Sequence, residues 1–171
     1  MDEIRPIHAA LCAVLRQWNA AYRAGRPWCW AAPMADGAYT AKHCLDDPGP
    51  RSWDGTAAVR YSADTDRDLG HVQGETAPAQ GLAQPADRDT GRWCGRAEGA
   101  VRFVSRSLET WHGQNQWLDR WCVTAGKRIK AGDSGSGVWR DDGALVGVVV
   151  GISWDTWSCP DSQTILAVGV P

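Results

Sequence analysis

The spacing of apolar residues changes at about residue 27. Before it, Ile7, Leu11, Val14, Leu15, Trp18 and Tyr22 recur at three- and four-residue intervals, the pattern of a helix with one apolar stripe. Pro6 suits the first turn, Gly25 suits the position just past the end, and Pro27 blocks continuation. A helix is therefore predicted over residues 7–23. An isolated helix of that length is marginal in water. Its stripe calls for a partner, either the outside of a β-barrel or another protein.

After residue 27 short apolar runs alternate with Gly, Pro and Asp. They are Trp28–Ala32, Ala38–Ala41, Thr56–Tyr61, Leu69–Gln73, Arg92–Gly95, Ala100–Val104, Trp117–Thr124, Gly137–Trp139, Ala144–Ser153 and Thr164–Val170. Many short strands with turn signals between them predict an all-β sandwich or barrel. Residues 74–91 carry no apolar period and much Pro, Gly and Ala, and are too long for an ordinary connection. They read as a linker between a first half, 28–73, and a second, 92–171.

Composition narrows the function classes. The 171 residues are enough for one domain with its own core. A net charge of −2 argues against a nucleic-acid footprint. No apolar run reaches the roughly 18 residues of a membrane helix. The start, Met1-Asp2-Glu3, and the break at Arg16-Gln17 do not match a secretory signal, which leans toward the cytoplasm, with a secreted protein as the alternative. No nucleic acid, membrane or cofactor is expected as a partner, and the N-terminal helix is a candidate surface for a protein partner.

Three local motifs carry chemistry. In Gly132-Asp133-Ser134-Gly135-Ser136-Gly137 a serine flanked by glycines can expose its hydroxyl on a tight turn whose amides point inward, the layout of an oxyanion hole; the plain alternative is an ordinary turn. Thr40-Ala41-Lys42-His43-Cys44 supplies a histidine after an apolar run, the side chain suited to act as a base near neutral pH. The other histidines are His8 in the predicted helix, His71, and His112 in a polar stretch. Asp64-Thr65-Asp66-Arg67-Asp68-Leu69-Gly70 supplies a carboxylate to orient the base. Asp68 stands directly before a strand and is preferred, with Asp66 second.

Together these motifs resemble the trypsin/chymotrypsin-like serine endopeptidases, which carry His, Asp and Ser in this order. The segments TAKHC, DLG and GDSGSG are similar to the family's three motifs, and Ala144–Val149 is similar to its cleft-lining strand. The resemblance covers about residues 28–171. It implies two antiparallel six-stranded barrels with the N-terminal helix added. His43 and Asp68 would lie on the first barrel and Ser134 on the second. It also implies a triad of His43, Asp68 and Ser134, an oxyanion hole from the amides of Gly132 and Ser134, and a specificity pocket with Arg128 at its floor and Ile152 at its mouth. Arg128 there would favour acidic substrates; the alternative is a solvated loop.

The chain also departs from the family. It has no Ile-Val-Gly-Gly activation sequence, and Lys130 stands where a cysteine is common. The resemblance implies a Cys29–Cys44 disulfide. Cys122 and Cys159 are a second candidate pair, Cys12 and Cys94 are left as free or unassigned, and no Cys-x-x-Cys spacing points to a metal. Eleven Trp against one Phe read as core packing. Trp28/Trp30 and Trp117/Trp121 could instead form a sugar-binding platform, so a non-catalytic β binding module, pseudoprotease or carbohydrate binder, stands as the alternative function.

Overall fold

The computed structural model describes residues 20–23, 26–34, 37–45, 51–53, 56–57, 61–72 and 81–171. The second half is a closed six-stranded antiparallel barrel. Its strands are β9 (Thr90–Cys94), β10 (Glu98–Trp111), β11 (Gln114–Gly126), β12 (Gly137–Arg140), β13 (Leu145–Ser153) and β14 (Thr164–Gly169), ordered β10-β11-β14-β13-β12-β9. The first half holds β1 (Ala20–Arg23), β2 (Arg26–Trp30), β3 (Ala32–Met34), β4 (Gly37–Thr40), β5 (Arg51–Trp53), β6 (Thr56–Ala57), β7 (Tyr61–Ala63) and β8 (Gly70–Val72). They form two four-stranded sheets, β2-β1-β5-β6 and β3-β4-β8-β7.

The apolar runs of β13 and β14 follow from burial on both faces. On β14, Ile165 and Ala167 join a barrel cluster with Trp93, Val101, Trp121, Val138 and Val149. Leu166 and Val168 alternate with them and pack with Ala41, Cys44, Leu45 and Leu69 of the first half. A strand's side chains alternate between faces, so a strand between two cores has no polar face and reads as a continuous hydrophobic run. Burying each such side chain contributes about 1.5–3 kcal/mol. The same strands therefore close the barrel and fasten the halves together.

Three expectations are revised. A closed first barrel is not found among the described residues: strands there run two to five residues and include Pro27 and Pro33, which donate no ladder bond. The predicted helix 7–23 lies outside the described residues up to residue 19. Its last four, Ala20–Arg23, form β1, held between β2 and β5. The predicted linker ends earlier than expected. Leu82 bridges Leu145 in parallel, and Thr90 already belongs to β9.

The disulfides revise a fourth. Cys29–Cys44 and Cys122–Cys159 are both bonded, and Cys94 is disulfide-bonded as well. Trp121 is buried whereas Trp117 is exposed, so the two do not share a binding face. Trp30, Trp93 and Trp139 are buried, as core packing requires.

Candidate active site

Pairing of β4 with β8 sets Thr40 opposite Gly70. Continued two or three residues past that pair, the two strands bring the turn after β4 alongside the residue before Leu69. That turn is a short 3-10 helix, Lys42–Cys44, closed by Cys44 N–H to the Ala41 carbonyl and pinned to β2 by the Cys29–Cys44 bond. His43 Nδ1 lies 2.6 Å from Asp68 Oδ2, and the His43 backbone N–H donates to Oδ1 at 2.9 Å. Asp68 is 4 % exposed and His43 23 %. Burial pushes the Asp68 carboxyl up, but the bonds and charge of His43 and the Trp111 indole outweigh it, so the pKa lies below the usual 3.8. An ionised carboxylate only accepts. In the neutral imidazole the proton therefore sits on Nδ1, which leaves Nε2 its lone pair. Asp66 is exposed and its N–H bonds Asp64, so it is Asp68 that holds the histidine.

The serine turn is built from two consecutive turns. Asp133 N–H bonds the Lys130 carbonyl and Ser136 N–H bonds the Asp133 carbonyl, each at 3.1 Å. Gly132 (φ +93) and Gly135 (φ +88) occupy their third positions, where a type II turn needs positive φ. The Ser134 carbonyl accepts from Trp30 N–H at 2.8 Å, Gly135 N–H donates to Val149, and Val149 N–H donates to Ser136. Cys44 Sγ lies 3.8 Å from the Ser134 carbonyl. A disulfide sulfur carries no proton, so this is a contact that sets Ser134 beside the residue following His43. Among the described residues, the N–H groups of Gly132 and Ser134 donate to no protein acceptor, while those of Asp133, Gly135 and Ser136 do. No hydrogen bond joins the Ser134 hydroxyl to His43 among the described residues.

Asp133 is fully buried and gripped by Arg96 through Nε and Nη2, both at 3.1 Å, with Lys130 N–H at 2.8 Å. Arg96 carried no sequence signal. Ile129 is clamped by Gln163, which accepts from its N–H at 2.6 Å and donates to its carbonyl at 2.7 Å. Next to it Arg128 is exposed, and Ile152 is half-buried.

Among the described residues a metal has one cluster of donors to consider, since ligand atoms of His43, Asp68 and His112 lie within 4.8 Å of one another. The Asp68 oxygens are already taken by His43 and Trp111, so binding all three would break the histidine–aspartate pair.

No family model matches the chain, and no curated protein sequence does either. Solved structures do. The Cellulomonas bogoriensis chymotrypsin is 18% identical with a TM-score of 0.67, covering 91% of each chain. The active form of the Rv3671c protease from M. tuberculosis is 14% identical with a TM-score of 0.65, covering 99% of this chain and 84% of that one. The tobacco vein mottling virus protease is 11% identical with a TM-score of 0.64, covering 100% and 82%. These likenesses place the chain in the chymotrypsin-like fold.

Proposed function

We propose that the chain is a serine endopeptidase in which Ser134 attacks a peptide carbonyl and forms an acyl-enzyme. The observation that carries this reading is the His43–Asp68 pair, with its proton on Nδ1, beside a serine turn that leaves two amides unspent. His43 Nε2 takes the Ser134 proton and returns it to the leaving amine. Asp68 holds the tautomer and stabilises the imidazolium. The N–H groups of Gly132 and Ser134 receive the oxyanion. Structural neighbours that are themselves proteases support a protein or peptide substrate. Arg128 is exposed, so burial lends no support to a preference for acidic residues, while Ile152 adds bulk where the resembled family has glycine. A non-catalytic reading is favoured by the missing Ser134–His43 bond. Such bonds are often long before substrate arrives.

A fluorophosphonate probe separates the two. The proposal expects labelling at one site, lost in Ser134→Ala and in His43→Ala. Labelling that survives Ser134→Ala unchanged assigns the nucleophile elsewhere. No labelling at all, with glycan or peptide binding instead, favours the binding module.

A further inference from the structure

One side chain reaches Asp68 from the other half of the molecule. Trp111 ends β10, and its indole Nε1–H donates to Asp68 Oδ2 at 2.9 Å, the same oxygen that His43 Nδ1 holds. The hairpin carrying it makes further bonds to the same loop. Gln116, directly opposite Glu109 on β11 and buried, accepts from the Asp68 N–H at 2.6 Å and donates to the Trp111 carbonyl at 3.1 Å. Gln114 donates to the Thr65 carbonyl at 2.9 Å. At the tip, His112 (φ +49) and Gly113 (φ +77) form the turn, a conformation non-glycine residues adopt only at a cost. The His112 ring stacks on that of His43, with centroids 4.9 Å apart and planes 9° from parallel. The Trp111 ring packs against Gly151 of β13.

From this we infer that Trp111 is a positioning residue for the His43–Asp68 pair, supplied by the second half of the chain to a carboxylate on the first. The inference rests on the protease reading for its consequence, not for its geometry. Oδ1 accepts one donor, the His43 amide, and Oδ2 accepts two, His43 Nδ1 and the indole. Removing the indole N–H leaves the ring of His43 as the sole partner of Oδ2 among the described residues. The carboxylate then has its two bonds to His43 but no hold from the second half of the chain on its oxygens among the described residues. Its charge, no longer shared with the indole, pulls harder on the imidazole proton. Orientation and basicity of His43 both follow from that one bond. Other ionisable groups near the pair are His112 at the tip, Lys42 beside His43, and Asp64, Asp66 and Arg67 ahead of Asp68. Asp64 and Arg67 are paired with each other at 2.9 Å.

Trp111→Phe keeps an aromatic ring on the strand end but removes the donor together with the outer ring atoms that lie against Gly151. Nuclear magnetic resonance of the His43 ring reads the result directly. The expected outcome is a His43 titration displaced upward from the wild-type curve, because a carboxylate relieved of a donor holds the imidazolium proton more strongly. Fluorophosphonate labelling at neutral pH should fall about tenfold, the worth of one hydrogen bond to a charged group. A ring that only fills space would lower stability and leave the His43 titration in place, and that result overturns the inference. A wild-type protein that labels with nothing sinks the protease reading alone, and the His43 titration still decides the role of Trp111. If the variant fails to fold, the wild-type indole resonance decides. It must shift in step with the His43 titration, and an indole signal flat through that range overturns the inference.

Discussion

Arg96 grips Asp133 with two parallel bonds of 3.1 Å, one to each carboxylate oxygen, and Asp133 immediately precedes Ser134. The arginine sits in the turn between β9 and β10, 37 residues away in sequence. A fully buried carboxylate next to the serine thus has its countercharge inside the second half of the chain. Replacing Arg96 by Met leaves that charge buried and unpaired. Such a loss costs about 3 kcal/mol, the low end for a broken buried pair because water reaches the arginine side. Urea unfolding measures it. Labelling of Ser134 should fall as well, since Asp133 also holds Lys130 N–H and with it the first of the two turns.

Asp68 should make stability depend on acid. Its folded pKa is depressed below 3.8, so the folded form binds its proton less readily than the unfolded chain. The stability it contributes is present above the unfolded value and is lost as pH falls through the folded one. Comparing wild type with Asp68→Asn by denaturant melts across that range, the difference seen at neutral pH should shrink below about pH 4. At neutral pH the same substitution should cost on the order of 10⁴ in turnover, because an amide in that position favours the wrong histidine tautomer.

Glycine replacements should separate strain from collision. A Cβ on Gly135 meets the Trp30 carbonyl oxygen, and its φ is +88. At Gly113 φ is +77 but a Cβ finds open space. Gly113→Ala should therefore cost only the backbone term, about 1–2 kcal/mol. Gly135→Ala should cost more and abolish labelling, because the backbone it strikes holds the Ser134 carbonyl. Thermal melts of the two variants side by side read the contrast.

The two described disulfides should behave differently. Cys29–Cys44 spans 15 residues and Cys122–Cys159 spans 37, worth about 3 and 4 kcal/mol by chain entropy. Both losses lower the melting temperature. Only the Cys29→Ala/Cys44→Ala pair should also slow labelling, because only that bond anchors the turn carrying His43. A Cys122→Ala/Cys159→Ala protein, assayed below its melting point, should label at the wild-type rate.

Residue identity made part of this site readable in the chain. His43 and Ser134 each sit in a short motif whose neighbours set the local backbone, and Asp68 stands at the foot of a strand. The runs Ala144–Ser153 and Thr164–Val170 were equally plain, because strands between two cores have no polar face to confuse the pattern. The hairpin was only half visible. Its predicted arms, Ala100–Val104 and Trp117–Thr124, are the barrel-lining parts. Between them Arg106, Glu109 and Gln114 break any apolar alternation, and Arg106 is satisfied by pairing across strands with Asp119 at 2.6 Å. Trp111 therefore reads as one more core aromatic, and Arg96 carries no signal at all. Their partners lie 43 and 37 residues away, which no local window spans. The strand at Ala20–Arg23 was lost for a related reason: its helical spacing was outweighed by pairing with β2 and β5.

The long reach of the hairpin also bears on the order in which the candidate site is assembled. During synthesis the stretch bearing His43 and Asp68 leaves the ribosome first, without Trp111 or Gln116 to hold the acid and without the turn that bears Ser134. The Arg67 side chain waits longer still, for the Gly169 carbonyl, 102 residues on. Contacts of such separation form late. A half-made chain holds some of the candidate site's residues but not their arrangement, so the site is complete only when the closing strands are in place.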